Sequence, residues 1–508
     1  MNDQAGASKV SFAAAHQEIM RAMRPYSAES IIDAALRVLR MPGLGQVDQL
    51  RAAPWQTLLL VKWALELPEV QSVRRPAIPQ HEFDDLRQRL HAIWGWADVP
   101  HASGHLLMRQ IINAQIEFQR PPTFSFMRQP ALIARLPKGH LLRQKFLELF
   151  GVEPDVYLDL AYTTLAAVYD KRNAFTREWY TPLEKVYGKQ AITTFIGLLA
   201  RDLQGLRKEL ARAPDDKPKP SELFEFPLLS HFPLYLRPDG IYESWHPMVI
   251  SRGLEMFVHR RFSALGPTYT EKYGEVFESY VIELLQETGL PFLDDNALRG
   301  IVGASASVPE AAVCLDDCNV FIEVKMGLFP DSLFVEESPA HLRNRTKAVR
   351  KAIKQGWSIS ASLRASDYYT GRTIPQEKDF LIVVTNRELN LSRGDLFASM
   401  FASAGGEQYP LAQAEQTLPL ANVLFVSIDD FERLVGMLRA GTITLSQFLH
   451  DVATANARPS TSAYYLGDHL SRRNTGWPLS TLMAGAVEAC TERLCQITGM
   501  AEEEPTGA

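Results

Sequence analysis

The sequence is poor in cysteine and nearly balanced in charge, and each scarcity excludes a class of protein. Four cysteines among 508 residues are too few for a disulfide scaffold. No zinc-finger spacing relates Cys314 and Cys318 to Cys490 and Cys495, so free buried thiols are expected. A net charge of −6 excludes a whole-molecule field that attracts nucleic acid, so any basic surface must be local.

Long apolar runs and nucleotide-binding loops are also missing. No run approaches the roughly 20 apolar residues that a membrane-spanning helix needs, and the N-terminus has no signal-peptide pattern. No Gly-x4-Gly-Lys-Ser/Thr loop occurs, and a lone Gly-x-Gly at Gly43 lacks the rest of a dinucleotide fingerprint. We therefore expect a cytoplasmic protein without a membrane segment or a nucleotide cofactor.

The hydrophobic pattern divides the chain into three regions. Apolar residues recur at three- and four-residue spacing up to about residue 212, which predicts a helical domain over residues 1–240. This domain ends in a segment rich in proline and acid, 213–240, which favours an extended linker over a helix. Residues 241–455 mix helical and strand patterns, and residues 456–508 are expected to form a C-terminal helical tail.

The middle region is predicted to be an α/β domain with a mixed sheet. In chain order, the pattern predicts a helix over 271–289, a short strand within 297–307, a hairpin over 309–327, a helix over 339–356 that stops at Gly356, a strand over 379–386, and a strand and helix over 422–441. Ser427 or Asp429 is expected near the N-cap of the last helix.

The hairpin carries three charges among apolar residues. Alternation along its second strand places Glu323 and Lys325 on one face. With a two-residue turn at 316–317, Glu310 lies opposite Glu323, whereas a four-residue loop would set it opposite Lys325. Both even-length loops put all three charges on one face, and an odd-length loop would not. Glu-x-Lys is also a common solvent-facing pattern on strands, and that alternative stays open.

A pair of opposed carboxylates is a candidate metal site. Such a pair costs roughly 0.2–1 kcal/mol relative to a neutral pair, and a cation between the two groups would turn that cost into binding. Oxygen ligands suit Mg²⁺ or Mn²⁺ rather than zinc. On the preceding helix, Glu278 lies at the edge of the apolar stripe, beside the space that Gly274 leaves. Glu278 is therefore expected to reach the sheet, whereas Glu275 points further out.

The helix predicted over 339–356 carries basic residues that no acid interrupts, although the protein is acidic overall. Its buried stripe is predicted to consist of Leu342, Val349 and Ile353. Such a face is often simply solvated, but beside a carboxylate cluster it also suits a phosphodiester substrate. The candidate nucleic-acid-binding residues are Arg343, Arg345, Lys347, Arg350, Lys351 and Lys354.

These residues together resemble the PD-(D/E)XK nuclease superfamily, which has the restriction-endonuclease-like fold. The resemblance rests on the helix motif GEVFESYVIELL, on Pro309–Glu310, on the Glu-Val-Lys of Glu323–Lys325, and on the αβββαβ order of the core. It covers residues from about 273 to 386. The fold that it implies is a large N-terminal helical region, a restriction-endonuclease-like mixed-sheet core, and C-terminal helices.

The resemblance also implies a role for each site residue. Glu310 and Glu323 would bind the metal, Lys325 would position or activate the attacking water, and Glu278 would assist the metal. Glu310 stands where the superfamily usually has an aspartate, and its extra methylene moves the carboxylate outward by about 1.5 Å. The neighbouring acids at 294–295 could substitute for it, or could simply form a turn.

The function that the resemblance implies is a Mg²⁺- or Mn²⁺-dependent DNA endonuclease in bacterial defence against phage or plasmids. An always-active nuclease would endanger its host, so we expect regulation by a partner protein, by homo-oligomerisation or by foreign nucleic acid. The alternative is a catalytically degenerate nuclease fold that binds nucleic acid or a partner without cutting. RNA as the substrate also stays open.

Overall fold

A computed structural model of the chain describes residues 11–40, 53–67, 75–94, 104–119, 124–170, 172–212, 216–335, 338–402, 417–473, 476 and 478–499. The described residues divide between two compact units. The first unit draws on Met1–Pro100, Gln110–Arg261 and Ala486–Ala508, and the second on His101–Arg109 and Phe262–Gly485. The fold is mixed α/β and mostly helical, with a small mixed sheet in each unit.

The chain up to residue 263 is predominantly helical, as its periodicity predicts. Its helices are α1 (Phe12–Met23), α2 (Ala28–Leu39), α3 (Pro54–Glu66), α4 (Gln80–Trp94), α5 (Gly104–Gln115), α6 (Ser125–Ala134), α7 (Leu141–Phe150), α8 (Pro154–Tyr169), α9 (Thr181–Leu199), α10 (Leu203–Leu210) and α11 (Pro247–Ser263). Side-chain caps mark several N-termini. Ser11, Ser27 and Asp202 each accept a backbone amide three residues further on, which satisfies one of the free donors of the first turn.

The first unit also contains a sheet that the sequence pattern did not predict. Its strands are β1 (Ala174–Phe175), β2 (Ala200–Arg201), β3 (Leu234–Leu236) and β4 (Tyr242–Ser244), in the order β1-β4-β3-β2. Strands of two or three residues are too short to show a two-residue alternation of apolar side chains. The sequence pattern therefore predicts helices where β1 and β2 lie, an extended linker where β3 lies, and the start of the next domain where β4 lies.

The proline-rich segment 213–240 is not a linker. Its described residues form no α-helix, as predicted, but they belong to the first unit and contribute β3. Leu223, Phe224 and Leu229 are buried, so the apolar residues between the prolines pack into the core of that unit. The second unit accordingly begins at Phe262 and not at residue 241.

The second unit is built around a five-stranded sheet of order β5-β6-β7-β8-β9. Its elements in chain order are α12 (Pro267–Glu287), β5 (Leu293–Asp294), α13 (Asp295–Val302), β6 (Ala311–Cys314), β7 (Asn319–Lys325), α14 (Pro339–Arg345), α15 (Lys347–Arg364), β8 (Asp379–Thr385), α16 (Gly394–Ala402), β9 (Val423–Ser427), α17 (Ile428–Arg439), α18 (Leu445–Asn456), α19 (Leu466–Ser471) and the start of α20 (Thr481–Thr498). The strands β5, β6 and β7 pair antiparallel, and β7, β8 and β9 pair parallel.

Several predicted elements of this unit are confirmed. β8 is buried along its whole length, as expected for an apolar run with helices over both faces. Ser427 is the N-cap of α17, and its hydroxyl accepts the amide of Asp430. The predicted stripe of the basic helix is also confirmed, because Leu342, Val349 and Ile353 are each 0% exposed.

Two predictions about this unit are wrong. Residues 297–307 do not form a strand: α13 occupies most of the segment, and the edge strand is the two-residue β5 just before it. Gly356 does not end a helix, since α15 continues to Arg364. A Cβ built at Gly356 would lie 2.7 Å from a Leu381 methyl group, so this glycine allows α15 to approach β8 closely. Within the described ranges, the helices include none that is long and apolar enough to cross a membrane.

Candidate metal centre and nucleic-acid interface

The β6–β7 hairpin has the two-residue turn that sets the two glutamates opposite each other. The Leu315 amide donates to the Cys318 carbonyl at 2.9 Å, and the antiparallel pairs continue regularly from there along β6. Continued one residue past the start of β6, the register sets Glu310 opposite Glu323. Lys325 follows two residues later, so the three charged residues share one face of the sheet.

Glu323 is a buried carboxylate in an apolar environment. Its side chain is 0% exposed, on the sheet face where Phe321 joins the hydrophobic core. The Lys325 ammonium is ion-paired with Oε1, but no N–H or hydroxyl donor of the described residues reaches Oε2. The neighbouring polar group is the carboxyl group of Glu310, which lies within hydrogen-bonding reach of Glu323. A buried oxygen without a donor is costly, because it has given up water and gained nothing in return. The solvent-facing reading of Glu323 is therefore wrong.

Glu310 is partly buried and is tied to the backbone of the opposite strand. Its Oε2 accepts the amide of Val324 at 2.8 Å. The backbone pairing of β6 with β7 ends at Ala311. The side chain of Glu310 therefore supplies the acceptor for β7 where β6 has ended, and this contact fixes the position of its carboxylate.

Glu278 lies on α12 in the neighbourhood of this pair. It is close enough to Glu310 and Lys325 that both charges affect its pKa. A Cβ added at Gly274 would have no atom within 4 Å, which confirms the predicted space one turn before Glu278. Glu278 and Glu275 are both exposed, but Glu275 forms an ion pair within its own helix.

The acids at 294–295 stabilise the start of α13. Asp294 is the N-cap and accepts the amide of Ala297 at 2.8 Å. Asp295, in the first turn, is 2.5 Å from Arg299 one turn later. Both side chains therefore have partners at the start of α13. The sequence predicted a turn at these residues, and the structure has a helix N-cap there.

The three acids of the cluster share a direction of pKa shift. Burial is the largest cause at Glu323 and, with the repulsion of Glu310, it raises the pKa of Glu323 to about 8. Burial also raises the pKa of Glu310, although Lys325 and the Val324 amide oppose the shift. Desolvation and the charge of Glu310 raise the pKa of Glu278. A cluster that disfavours its own negative charges would bind a cation favourably.

The donor set fits a hard divalent cation with few protein ligands. In the described part of the chain, no three His, Cys, Asp or Glu side chains form a group ready to hold a metal ion. The candidate ligands are therefore two carboxylates, Glu310 and Glu323. The unpartnered Oε2 of Glu323 is the observation that fits a cation there. Mg²⁺ suits such a set, because it keeps several waters and needs only one or two protein carboxylates.

The basic helix begins near the end of the sheet that carries Lys325 and runs away from it. β7 and β8 are parallel neighbours, so the α15 crossover between them returns from the carboxyl end of β7 to the amino end of β8. Arg364, in the last turn of α15, is hydrogen-bonded to Asp379 at the start of β8. The other end of α15, with Lys347, therefore lies toward the carboxyl ends of the strands, where ligands of open α/β sheets bind.

The six basic candidates divide into exposed and anchored side chains. Arg345 donates to the Ser332 hydroxyl at 2.6 Å, and Arg350 donates to the Arg343 carbonyl at 3.0 Å. The guanidinium of Arg343 lies over the ring of Phe401. The exposed side chains without an ion pair or hydrogen bond to any described residue are Lys347, Lys351 and Lys354. These three lysines have the freedom that contacts with phosphates require.

Sequence reasoning missed the two loops that follow β7 and β8. Both begin at the edge of the sheet where Lys325 pairs with Thr385. Arg109 and Arg387 bind backbone carbonyls in these loops. Periodicity does not mark an arginine that acts through carbonyls distant in the chain, so the sequence offered no signal for either residue.

Comparisons with models of protein families, with curated proteins and with solved structures found no match to this chain. The site is therefore interpreted from the geometry and electrostatics of its own side chains.

Proposed function

We propose that the second unit is a metal-dependent nuclease with a restriction-endonuclease-like core that hydrolyses phosphodiester bonds of DNA. The observation that carries the proposal is Glu323, a fully buried carboxylate that has no N–H or hydroxyl donor on one oxygen and a second carboxyl group, that of Glu310, beside it. A structural role does not explain such a group, because an apolar residue of the same size would avoid the cost of desolvation. The register with Glu310 and the ion pair with Lys325 support a catalytic role.

Each residue has a defined task in this proposal. Glu310 and Glu323 hold Mg²⁺ or Mn²⁺, which when bound supplies positive charge to the phosphate and lowers the pKa of water. Lys325 has three N–H donors with which to orient the attacking water or a phosphate oxygen. Glu278, at the rim of the cluster, adds negative charge and assists cation binding.

The basic helix would hold the nucleic acid beside this cluster. Lys347, Lys351 and Lys354 recur at four- and three-residue spacing, so they follow one face of α15. Contacts of this kind position a backbone without reading its sequence. They would bring a phosphodiester to the carboxyl end of β7 whatever the base sequence of the nucleic acid.

The first test is cleavage of plasmid and linear DNA by the full chain with Mg²⁺ or Mn²⁺. We expect Glu323→Ala, Lys325→Ala and Glu310→Ala each to abolish metal-dependent cutting. Glu275→Ala is the matched control, because this acid lies one turn from Glu278 and is likewise exposed, but it is ion-paired with Lys272. Cutting that survives Glu323→Ala would contradict the proposed centre, and cutting that survives only Glu310→Ala would assign its ligand role to another acid.

A second test addresses the basic helix. Replacing Lys347, Lys351 and Lys354 together by alanine should weaken DNA binding and reduce the slope of log K against log salt by up to about 0.9 per lysine. The matched control is a triple alanine variant of the exposed lysines Lys185, Lys189 and Lys208 in the first unit. Equal loss in both triple variants would indicate a general charge effect and would remove α15 from the proposal.

Two observations favour a catalytically degenerate fold as the second candidate. Oε2 of Glu310 is engaged by the Val324 amide, and the described residues include no three-ligand metal group. A degenerate protein would bind DNA in the presence of EDTA and would show no Mn²⁺ binding by calorimetry. Mn²⁺ binding that is lost in Glu323→Ala would instead favour the nuclease.

The biological setting that we propose is defence against foreign DNA under the control of a partner protein or of assembly. A nuclease of this kind in a cell must be restrained until its target arrives. Rapid degradation of host-type DNA by the purified chain, without any added factor, would contradict this part of the proposal.

A further inference from the structure

The segment that follows β7 lies against the same face of the sheet as the candidate centre. Phe329, Leu333 and Phe334 are buried in the hydrophobic cluster that includes Phe321 of β7. Phe321 and Glu323 are two residues apart on one strand, so they share a face. The segment Phe329–Phe334, which begins four residues after Lys325, therefore packs on this face of the sheet. We call it the post-β7 segment.

Arg387 holds this segment from the neighbouring strand. It lies two residues beyond Thr385, the register partner of Lys325. Its Nη1 donates to the Phe329 carbonyl and to Asp331, each at 3.1 Å. Its guanidinium also lies over the Phe334 ring, 4.3 Å from the centroid. Arg387 therefore contacts both ends of the post-β7 segment, through hydrogen bonds at one end and an aromatic ring at the other.

Arg109, a buried residue, also binds the post-β7 segment. Its side chain is 0% exposed, and its Nη1 donates to the Leu333 carbonyl at 2.6 Å. Nε and Nη2 both donate to the Leu389 carbonyl at 3.3 Å. One guanidinium therefore joins the post-β7 segment to the loop that follows β8.

The loop after β8 is itself fixed in an unusual backbone conformation. Asn390 and Ser392 have φ of +53° and +64°, in the left-handed region that side chains disfavour. The Tyr464 hydroxyl donates to the Asn390 carbonyl at 2.8 Å, and the Tyr465 hydroxyl donates to its Oδ1 at 2.7 Å. Strained backbone persists only where its surroundings determine it fully, and it clusters at functional sites.

We infer that Arg387 and Arg109 are positioning residues for the proposed nuclease centre. They hold the post-β7 segment against the carboxyl ends of β7 and β8. The position of this segment in turn determines how a phosphodiester would approach Lys325. The inference rests on the proposed nuclease activity. Neither arginine touches the reacting atoms; each acts through backbone carbonyls and the ring of Phe334. A displacement of the reacting groups by about 1 Å is enough to cost about a hundredfold in rate.

The experiment compares Arg387→Met, Arg387→Lys and Arg372→Met in the full chain. Arg372 is the matched control, because its guanidinium also lies over an aromatic ring, that of Tyr368 at 5.4 Å. Its charge acts on Cys314, which pairs with Asn319 at the opposite end of β7. Single-turnover cleavage and Mn²⁺ binding are measured at a temperature where circular dichroism reports every variant as folded.

We expect Arg387→Met to lower the single-turnover rate about tenfold to a hundredfold with unchanged Mn²⁺ affinity. Arg387→Lys should recover most of the rate, since an ammonium over the ring can still donate to the Phe329 carbonyl. Arg372→Met should cleave like the wild type. An unchanged rate in Arg387→Met, or an equal loss in Arg372→Met, would overturn the positioning role alone. Absence of cleavage by the wild type would overturn the proposed function and this inference with it.

Discussion

Two glutamates, one in each unit, are both deeply buried and yet have opposite electrostatics. Glu222 of the first unit is 6% exposed, and Glu323 of the second is 0% exposed. Glu222 accepts hydrogen bonds from Lys62, Trp63 and Arg212. Glu323 has Lys325 on one oxygen and no N–H or hydroxyl donor on the other among the described residues, and a second carboxyl group, that of Glu310, lies beside it.

Their pKa values separate accordingly. Burial is the largest influence on Glu222, but the hydrogen bond from Arg212 and the charge of Lys62 outweigh it and lower its pKa to about 2. At Glu323, burial and the repulsion of Glu310 raise the pKa to about 8 in spite of Lys325. Burial alone therefore does not mark a functional carboxylate. A functional carboxylate is indicated instead when the group is buried and the protein does not provide hydrogen-bond donors for all of its oxygens.

The largest expected difference between the two glutamates is in catalysis. Glu323→Gln should lower DNA cleavage by at least about a thousandfold, because it removes a proposed cation ligand from a group that works as a unit. Glu222→Gln should leave cleavage per folded molecule unchanged. Cleavage rates normalised to folded protein test this contrast, and equal losses in both variants would remove it.

The second difference is in stability, and it has the opposite sense. Glu222→Gln leaves Lys62 and Arg212 without their shared carboxylate, so we expect a loss of about 3 kcal/mol in the free energy of unfolding. Glu323→Gln should change that free energy by less than about 1 kcal/mol or increase it, because it removes the cost of ionising a buried carboxyl group. Urea denaturation of the two variants beside the wild type measures both effects. A severe loss of stability in Glu323→Gln would indicate a structural role for that carboxylate.

A third prediction concerns metal-linked stability. Mn²⁺ at a hundredfold excess over its dissociation constant should stabilise the wild type by about 2.7 kcal/mol. The same addition should stabilise Glu222→Gln equally and Glu323→Gln hardly at all. Thermal unfolding with Mn²⁺ and with EDTA provides the measurement. Equal stabilisation of Glu323→Gln would place the cation elsewhere.

A fourth prediction concerns the pH dependence of unfolding, measured in EDTA. The folded pKa of Glu323 exceeds the ordinary value of 4.5, so its contribution to stability is complete below about pH 4.5 and is lost as the pH rises toward 8. The folded pKa of Glu222 is below 4.5, so its contribution is present above about pH 4.5 and is lost as the pH falls toward 2.

The corresponding measurement is the difference in unfolding free energy between the wild type and each glutamine variant. The unfolding free energy of the wild type minus that of Glu323→Gln should be lower at about pH 8 than at about pH 5. The unfolding free energy of the wild type minus that of Glu222→Gln should be lower at about pH 3 than at about pH 6. Parallel pH profiles would mean that the two sites are electrostatically alike.

The parts of the second unit that the sequence predicted are those with local signals. Apolar runs identify β8 and β9, the serine cap marks the start of α17, and alternation with an even-length turn predicts the shared face of Glu310 and Glu323. In each case, neighbouring residues carry the information. Side-chain periods of 2 and 3.6 residues make that information readable.

The parts that were missed depend on contacts between residues distant in the chain. Gly356 resembled a helix stop because its sequence neighbours do not reveal Leu381, which packs against it. The burial of Glu323 on all sides depends on where helices pack over the sheet, and the Glu-Val-Lys motif alone also suits an exposed strand. Arg109 contacts carbonyls more than 200 residues further along the chain, and local pattern does not signal such contacts.

The turn between β6 and β7 gives this protein an unusual sensitivity to changes in length. Surface turns generally tolerate insertions, and substitutions at 316–317 would leave the strands in register. One extra codon at this turn, however, would rotate the β6 side of the hairpin and carry Glu310 to the opposite face from Glu323. In a scan of single-codon insertions, this exposed turn should therefore score like a catalytic residue, with the protein still folded and cleavage lost.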